Sequence, residues 1–318
     1  MATYLKGFTN LGDSTITNHI RENLISFFDY GLLDKGNFVN VSVPTTGYYG
    51  GLEHILRPVS DPRYTDGQVW EGFRSNWVWE SGVGAFTSAD DANPGVSGVY
   101  VNDTFYPASG AGDYAHHINH PLGRVIFDTA IPTTGDVTCA YSYKYINVTR
   151  SDGLNWFREI QKRSERAENT NFENNSGSYA TLADNRYQLP AIGIEVASSR
   201  KMKPYQLGGG QSVFTDFLFH CVAEDGYTRD NLLDIVSLQQ LKNLKAFDLN
   251  TLAESGTFPL DYRGVPVSGA MIYPDLLSNY EGVHIRLEDV KLDSVYSISP
   301  DIHVGTVKFT AETILFGV

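Results

Sequence analysis

Residues 136–148, DVTCAYSYKYINV, alternate with a period of two, and that pattern constrains the chain more than any other feature. Val137, Cys139, Tyr141, Tyr143 and Tyr145 fall on one side. Thr138, Ala140, Ser142 and Lys144 fall on the other, as in a half-buried strand. Shorter stretches upstream carry the same signal. QVWEGFRSNWVW holds Trp70, Phe73, Trp77 and Trp79; SGVYVNDTFYP reads as two strands around the turn pair Asn102-Asp103; GRVIFDTAI is another strand. With 19 Tyr and 17 Phe against only 3 Met, the composition also leans towards strands. Short strands with turn residues between them predict a β-sandwich over residues 67–150.

The flanking segments read differently. Over 17–33, Ile20, Leu24, Ile25, Phe28 and Leu32 recur at three- and four-residue spacing, which predicts a helix, with Gly31 and Gly36 at or beyond its end. VPTTGYYGG and RPVSDPRYTDG follow, where Pro44, Pro58 and Pro62 exclude a helix. Residues 1–66 are therefore expected to be a helix and an extended arm lying on a neighbouring copy, with Ile20, Leu24 and Phe28 as the contact stripe. After Ser151, GLNWFREIQKRSERAEN can form a helix with Leu154, Phe157 and Ile160 on one side, and NTNFENNSGS a loop. Strands are expected at QLPAIGIEVASS, QSVFTDFLFHCVAE, 283–290 and 302–316. A helix is expected at TRDNLLDIVSLQQL, capped by Thr228, with Leu232, Ile235, Val236 and Leu238 as its apolar face. Residues 151–318 thus read as an α+β domain, and the whole chain as β-rich α+β.

The net charge of −13 opposes tight binding to nucleic-acid phosphates. Arg158–Arg166 mixes basic residues with glutamates and reads as a solvated helix face. Cys139 and Cys221 are expected to be buried free thiols. The start MATYLKGFTN carries no apolar signal core, and no stretch approaches the roughly 18–20 apolar residues of a membrane span, so a soluble cytoplasmic product is expected. On that reading the sequons at Asn40, Asn102, Asn147 and Asn174 are accidental.

Several patterns invite chemistry. His116, His117 and His120, with Asp113 nearby, offer metal-ligand atoms, but in a strand His117 points away from the other two, and a turn with surface histidines is the expectation. Leu207–Gln211, LGGGQ, lacks the Lys-Ser/Thr and the helix of a phosphate loop, and Asp90-Asp91 lacks the ligand spacing of a calcium loop. There is no Gly-x-Ser-x-Gly elbow, and acid pairs such as Glu224/Asp225 arise by chance in an acidic chain. No enzyme, no cofactor and no metal site is expected. Trp77 and Trp79 would share one face of a strand, either packed in a core or against a neighbour, or exposed as a sugar-binding platform.

Taken together, ENLISFFDYGLLDKGNF, DGQVWEGFRSNWVWESGV, SGVYVNDTFYP with HPLGRVIFDTAI, and RYQLPAIGIEV with KPYQLGGGQ resemble virion structural proteins of tailed bacteriophages, nearest to neck or head–tail junction proteins of contractile-tailed phages. The C-terminal part also resembles tail-terminator proteins, in which two strands, a helix and further strands form a ring subunit. The resemblance implies a homo-oligomeric ring, sixfold or twelvefold, in the virion neck or tail. Its neighbours would be portal-side, neck and tail proteins, and DNA would pass through it as non-specific cargo. It implies no active-site residue. It leaves Ile20, Leu24, Phe28, Trp77 and Trp79 as the candidate assembly contacts, and a carbohydrate-binding or capsid-decorating module as the alternative.

Overall fold

Lysines and arginines are few and aromatics many, and backbone that cannot pair within a helix must pair between strands. The computed structural model describes residues 11–13, 15–43, 53–85, 95–151, 160–161, 187–205, 210–256, 258–277 and 284–315. Of these, 44% lie in strands and 17% in helices, a β-rich α+β chain as its composition predicts.

Helix α1, Ile16–Asp34, is stopped by Gly36 in the left-handed conformation (φ 88°). Strands β1 Phe38–Val41, β2 Arg57–Pro58, β3 Val69–Glu71, β4 Gly98–Val101, β5 Thr104–Pro107, β6 His116–Asn119, β7 Arg124–Phe127, β8 Val137–Thr138 and β9 Tyr141–Lys144 follow. They form three small sheets, β1-β9, β2-β3-β7-β6 and β5-β4-β8. These surround one core that contains Leu56, Trp70, Trp77, Val99, Phe127 and Tyr141. Asn102 and Asp103 both take positive φ at the β4–β5 hairpin, the backbone that such a two-residue turn demands.

β10 Asn147–Arg150, β11 Ile160–Gln161, β12 Tyr187–Gln188, β13 Ala191–Tyr205, β14 Gly210–Ala223, β15 Asn243–Lys245, β16 His284–Ser299 and β17 Ile302–Leu315 complete the strands, with helices α2 Gly226–Ser237 and α3 Leu249–Ser255 between them. A six-stranded sheet runs β10-β13-β14-β17-β16-β15, antiparallel except for the parallel β10–β13 pair. Its side chains sort by face. Phe217, Phe219, Val307 and Phe309 point towards α1 and α2, where they meet Leu24, Phe28, Leu232 and Val236. A Cβ at Gly305 would come within 2.6 Å of Leu233 Cδ1, so α2 sits directly on the β17 backbone. The opposite face is more polar and its charges are matched: Lys308 meets Asp216 at 2.7 Å, Arg286 meets Glu288 at 3.0 Å and His220 meets Glu195 at 2.8 Å.

Several expectations change. Strand pairing crosses both expected boundaries, at 66/67 and at 150/151. β1 hydrogen-bonds to β9, Leu56 N–H donates to Val137 O and Cys139 N–H to His54 O, so the described parts of 34–66 are built into the central sheets rather than extended over a neighbour. Likewise β10 belongs to the C-terminal sheet. Exposed edges of short strands need partners, and these segments supply them. Helix α2 is capped by Asp225, whose carboxylate accepts from Thr228 N–H, and Leu233 replaces the exposed Leu238 on its buried face. Ile160 lies in a parallel pair with β12, not in a helix. Cys139 and Cys221 are free and buried, and burial pushes both thiols up. Residues 44–51, Asp90-Asp91, most of the expected helix at 153–169, the loop after it with Asn174, and Leu207–Gly209 lie outside the described residues. Among the described residues no helix is long and apolar enough to cross a membrane.

Candidate assembly interface

The five candidate contact residues do not form a common surface. Ile20, Leu24 and Phe28 are buried against the chain's own six-stranded sheet, with Phe28 and Phe219 ring centroids 5.2 Å apart. The stripe was expected to wait for a neighbour because Gly and Pro follow the helix. In fact α1 reaches its own sheet by long-range packing, which no local spacing reveals. Trp77 is also buried. It stacks on Tyr141 at 4.3 Å, and its indole N–H donates to Arg74 O at 2.7 Å. Gly72 makes room for it, since a Cβ there would lie 2.6 Å from the Trp77 ring.

Trp79 alone keeps partial exposure. It lines a groove of about 480 Å³ with Tyr30, Pro259, Pro266, Met271 and Asp275. Nearby, Lys144 is fully buried, and its ammonium lies 2.6 Å from both Asp29 of α1 and Glu80. Burial works against that charge, but the two carboxylates outweigh it and hold the ammonium above its ordinary range. Burial raises Asp29, with Lys144 opposing and Glu80 adding to the rise.

Of the three histidines, His116 and His120 are buried and His117 is half-buried. His116 packs against Phe127, and His120 is buried, with Nε2 accepting from Val96 N–H at 3.0 Å and Nδ1 3.1 Å from Gly264 O. Burial lowers His120 to about 4 and also lowers His116 and His117. For His120 a neutral ring serving as a hydrogen-bond link fits this better than a ligand, whereas His116 reaches Tyr114 O through Nδ1 alone. Among the described residues no three His, Cys, Asp or Glu side chains are grouped to hold an ion.

The surface with unmet potential is at the rims of the large sheet, which the sequence reading did not single out. β10 pairs with β13 only over Ala191–Ile194, and β15 with β16 only over His284–Arg286, extended to Leu287 by two backbone bonds. Among the described residues no strand pairs with the outer edge of 195–205 or of 288–299. Along the second rim Leu292 is 55% exposed, Val295 45%, Tyr296 44% and Ile298 53%. Leu292 and Val295 lie opposite Val307 and Gly305 on the helix-bearing face, and Tyr296 opposite Val304 on the other, so apolar groups flank both sides of the edge. Register shifts after Glu288, Leu292 and Ser297 break the period of two, which hides this stripe from a pattern search. Searches against protein families, curated proteins and solved structures find no match for the chain.

Proposed function

We propose that the chain is a non-enzymatic structural subunit of a tailed-phage particle, one of several identical copies in a neck or head–tail connector ring. In this reading 67–150 supplies most of a central sandwich-like body and 151–318 a ring-forming domain of the tail-terminator kind. The observation that carries it is the β16 rim, where Leu292, Val295, Tyr296 and Ile298 stand exposed beside strand backbone that no described strand pairs. A lone soluble chain gains nothing from such a rim and risks aggregation by it, whereas a subunit covers it on assembly. The net charge of −13 per copy and the matched charges on the sheet's polar face suit a passage that repels DNA phosphates and lets the duplex slide. Portal-side, neck and tail proteins would be the neighbours above and below, and the virion the location.

Sedimentation velocity and negative-stain images of the full chain test this. Rings of six or twelve copies are the expected result, alone at high concentration or with neck partners. A chain that stays monomeric in both settings overturns the proposal. The groove beside Trp79 and Tyr30 favours one second reading, a carbohydrate-binding virion module, because a half-exposed indole can stack on a pyranose ring. Quenching of tryptophan fluorescence by host-surface glycans, lost in Trp79→Ala, would support that reading. Glycans without effect would remove it.

A further inference from the structure

The two rims that no described strand covers differ in charge. Residues 195–205 carry Arg200, Lys201 and Lys203 against Glu195, a net of +2; residues 288–299 carry Glu288, Asp289 and Asp293 against Lys291, a net of −2. Charged residues on an edge strand discourage pairing with an identical edge, and here each rim repels itself and attracts the other.

Direction and position agree with the charge. β13 is antiparallel to β14, β14 to β17 and β17 to β16, so β13 and β16 run in opposite directions within one chain. Two copies set side by side in the same orientation therefore bring β16 of one against β13 of the next as an antiparallel pair. The uncovered lengths also lie at opposite ends of the sheet. Residues 200–204 of β13 stand beside 211–215 of β14, whereas 292–299 of β16 stand beside 302–307 of β17, level with 219–223 of β14. β10 and β15 block the remaining length of each rim, so only a staggered neighbour fits.

We propose that copies of this chain join head to tail by sheet extension, the basic rim 195–205 of one pairing with the acidic, apolar-flanked rim 288–299 of the next. This rests on the multi-copy reading above and gives it a mode. The contact uses two different patches, so it is heterologous and closes into a ring when the rotation per copy allows. Backbone pairing and burial of Leu292, Val295, Tyr296 and Ile298 would supply affinity, and charge would supply the choice of partner.

Charge exchange tests it. K201E with K203E changes the first rim from +2 to −2; D289K with D293K changes the second from −2 to +2 and leaves the Glu288–Arg286 pair in place. These side chains lie on the two rims away from the apolar core, and circular dichroism melts should match the natural chain. Each two-site variant should sediment as a monomer under conditions where the natural chain assembles. An equimolar mixture of the two, and the four-site variant alone, should assemble again. Assembly of the natural chain should also weaken as salt rises. Two-site variants that assemble normally, or a mixture that does not recover, overturn the rim pairing while leaving the multi-copy reading intact. A natural chain that never assembles, alone or with neck partners, removes both.

Discussion

His120 shows how much a single side chain's role depends on what surrounds it. In the sequence it is the last of three clustered histidines before Pro121, and nothing there separates a ligand, a surface ring and a buried link. Its surroundings come from Gly95 and Gly264, both at positive φ; a Cβ on Gly95 would lie 2.3 Å from the ring. No spacing rule connects these positions. Burial gives the link a pH signature. The folded chain holds His120 at about 4 and the unfolded chain near 6.5, so the unfolded state takes up the proton first as pH falls. Its contribution is therefore complete above pH 6.5 and lost between there and about 4, by about 3 kcal/mol. Urea midpoints measured between pH 7 and 4.5 should fall, and His120→Gln should flatten that dependence, leaving the part due to His19, His116 and His117, which burial also lowers. An unchanged slope in the variant would place the effect elsewhere.

Among elements, those with a strong internal period were legible. The α1 stripe and the β4–β5 turn follow from local residue order, whereas the single half-buried strand expected over 136–148 is divided among β8, β9 and β10 in three sheets, and Ser142 and Lys144 are buried as Tyr141 and Tyr143 are. The partners of the elements were not legible, because an apolar stripe states that a face is buried and not against what. Leu24 illustrates this, being buried against the six-stranded sheet of its own chain. Leu24→Ala should therefore cost about 2–5 kcal/mol. Because the partner is intramolecular, the loss should not vary with protein concentration. Chemical denaturation over a hundredfold dilution series separates the cases, since a stripe buried on a neighbour would give a concentration-dependent loss. The α2 cap was misplaced by three residues for a similar reason: Thr228 and Asp225 are both good caps, and only the backbone shows that the helix begins at Gly226.

At the scale of the molecule, the class was legible and the boundaries were not. Composition is a property of the whole chain and gave a β-rich α+β fold, but cuts drawn at proline-rich and Ser-Asp-Gly breaks ignored pairing across them. Lys144 is where this matters most, since it ties α1, the segment around Glu80 and β9 in one buried cluster. Lys144→Met should cost about 3–5 kcal/mol by leaving two carboxylates buried without their cation. Replacing Asp29, Glu80 and Lys144 together by apolar residues should recover most of it. Thermal melts of the two variants check this, and equal losses would show that the cost lies in packing rather than in charge. The stagger of the two rims also fixes a shape. If neighbours join through them, each copy is displaced along the strands by about ten residues, roughly 33 Å at ~3.3 Å per residue, against a lateral repeat of about 19 Å for the four strands β13-β14-β17-β16 at ~4.8 Å spacing. A closed circle cannot climb, so its strands must slope by about two-thirds of a right angle to the axis. The lumen would then be walled by oblique staves, like a wide barrel, and the hairpin tips would form its two lips.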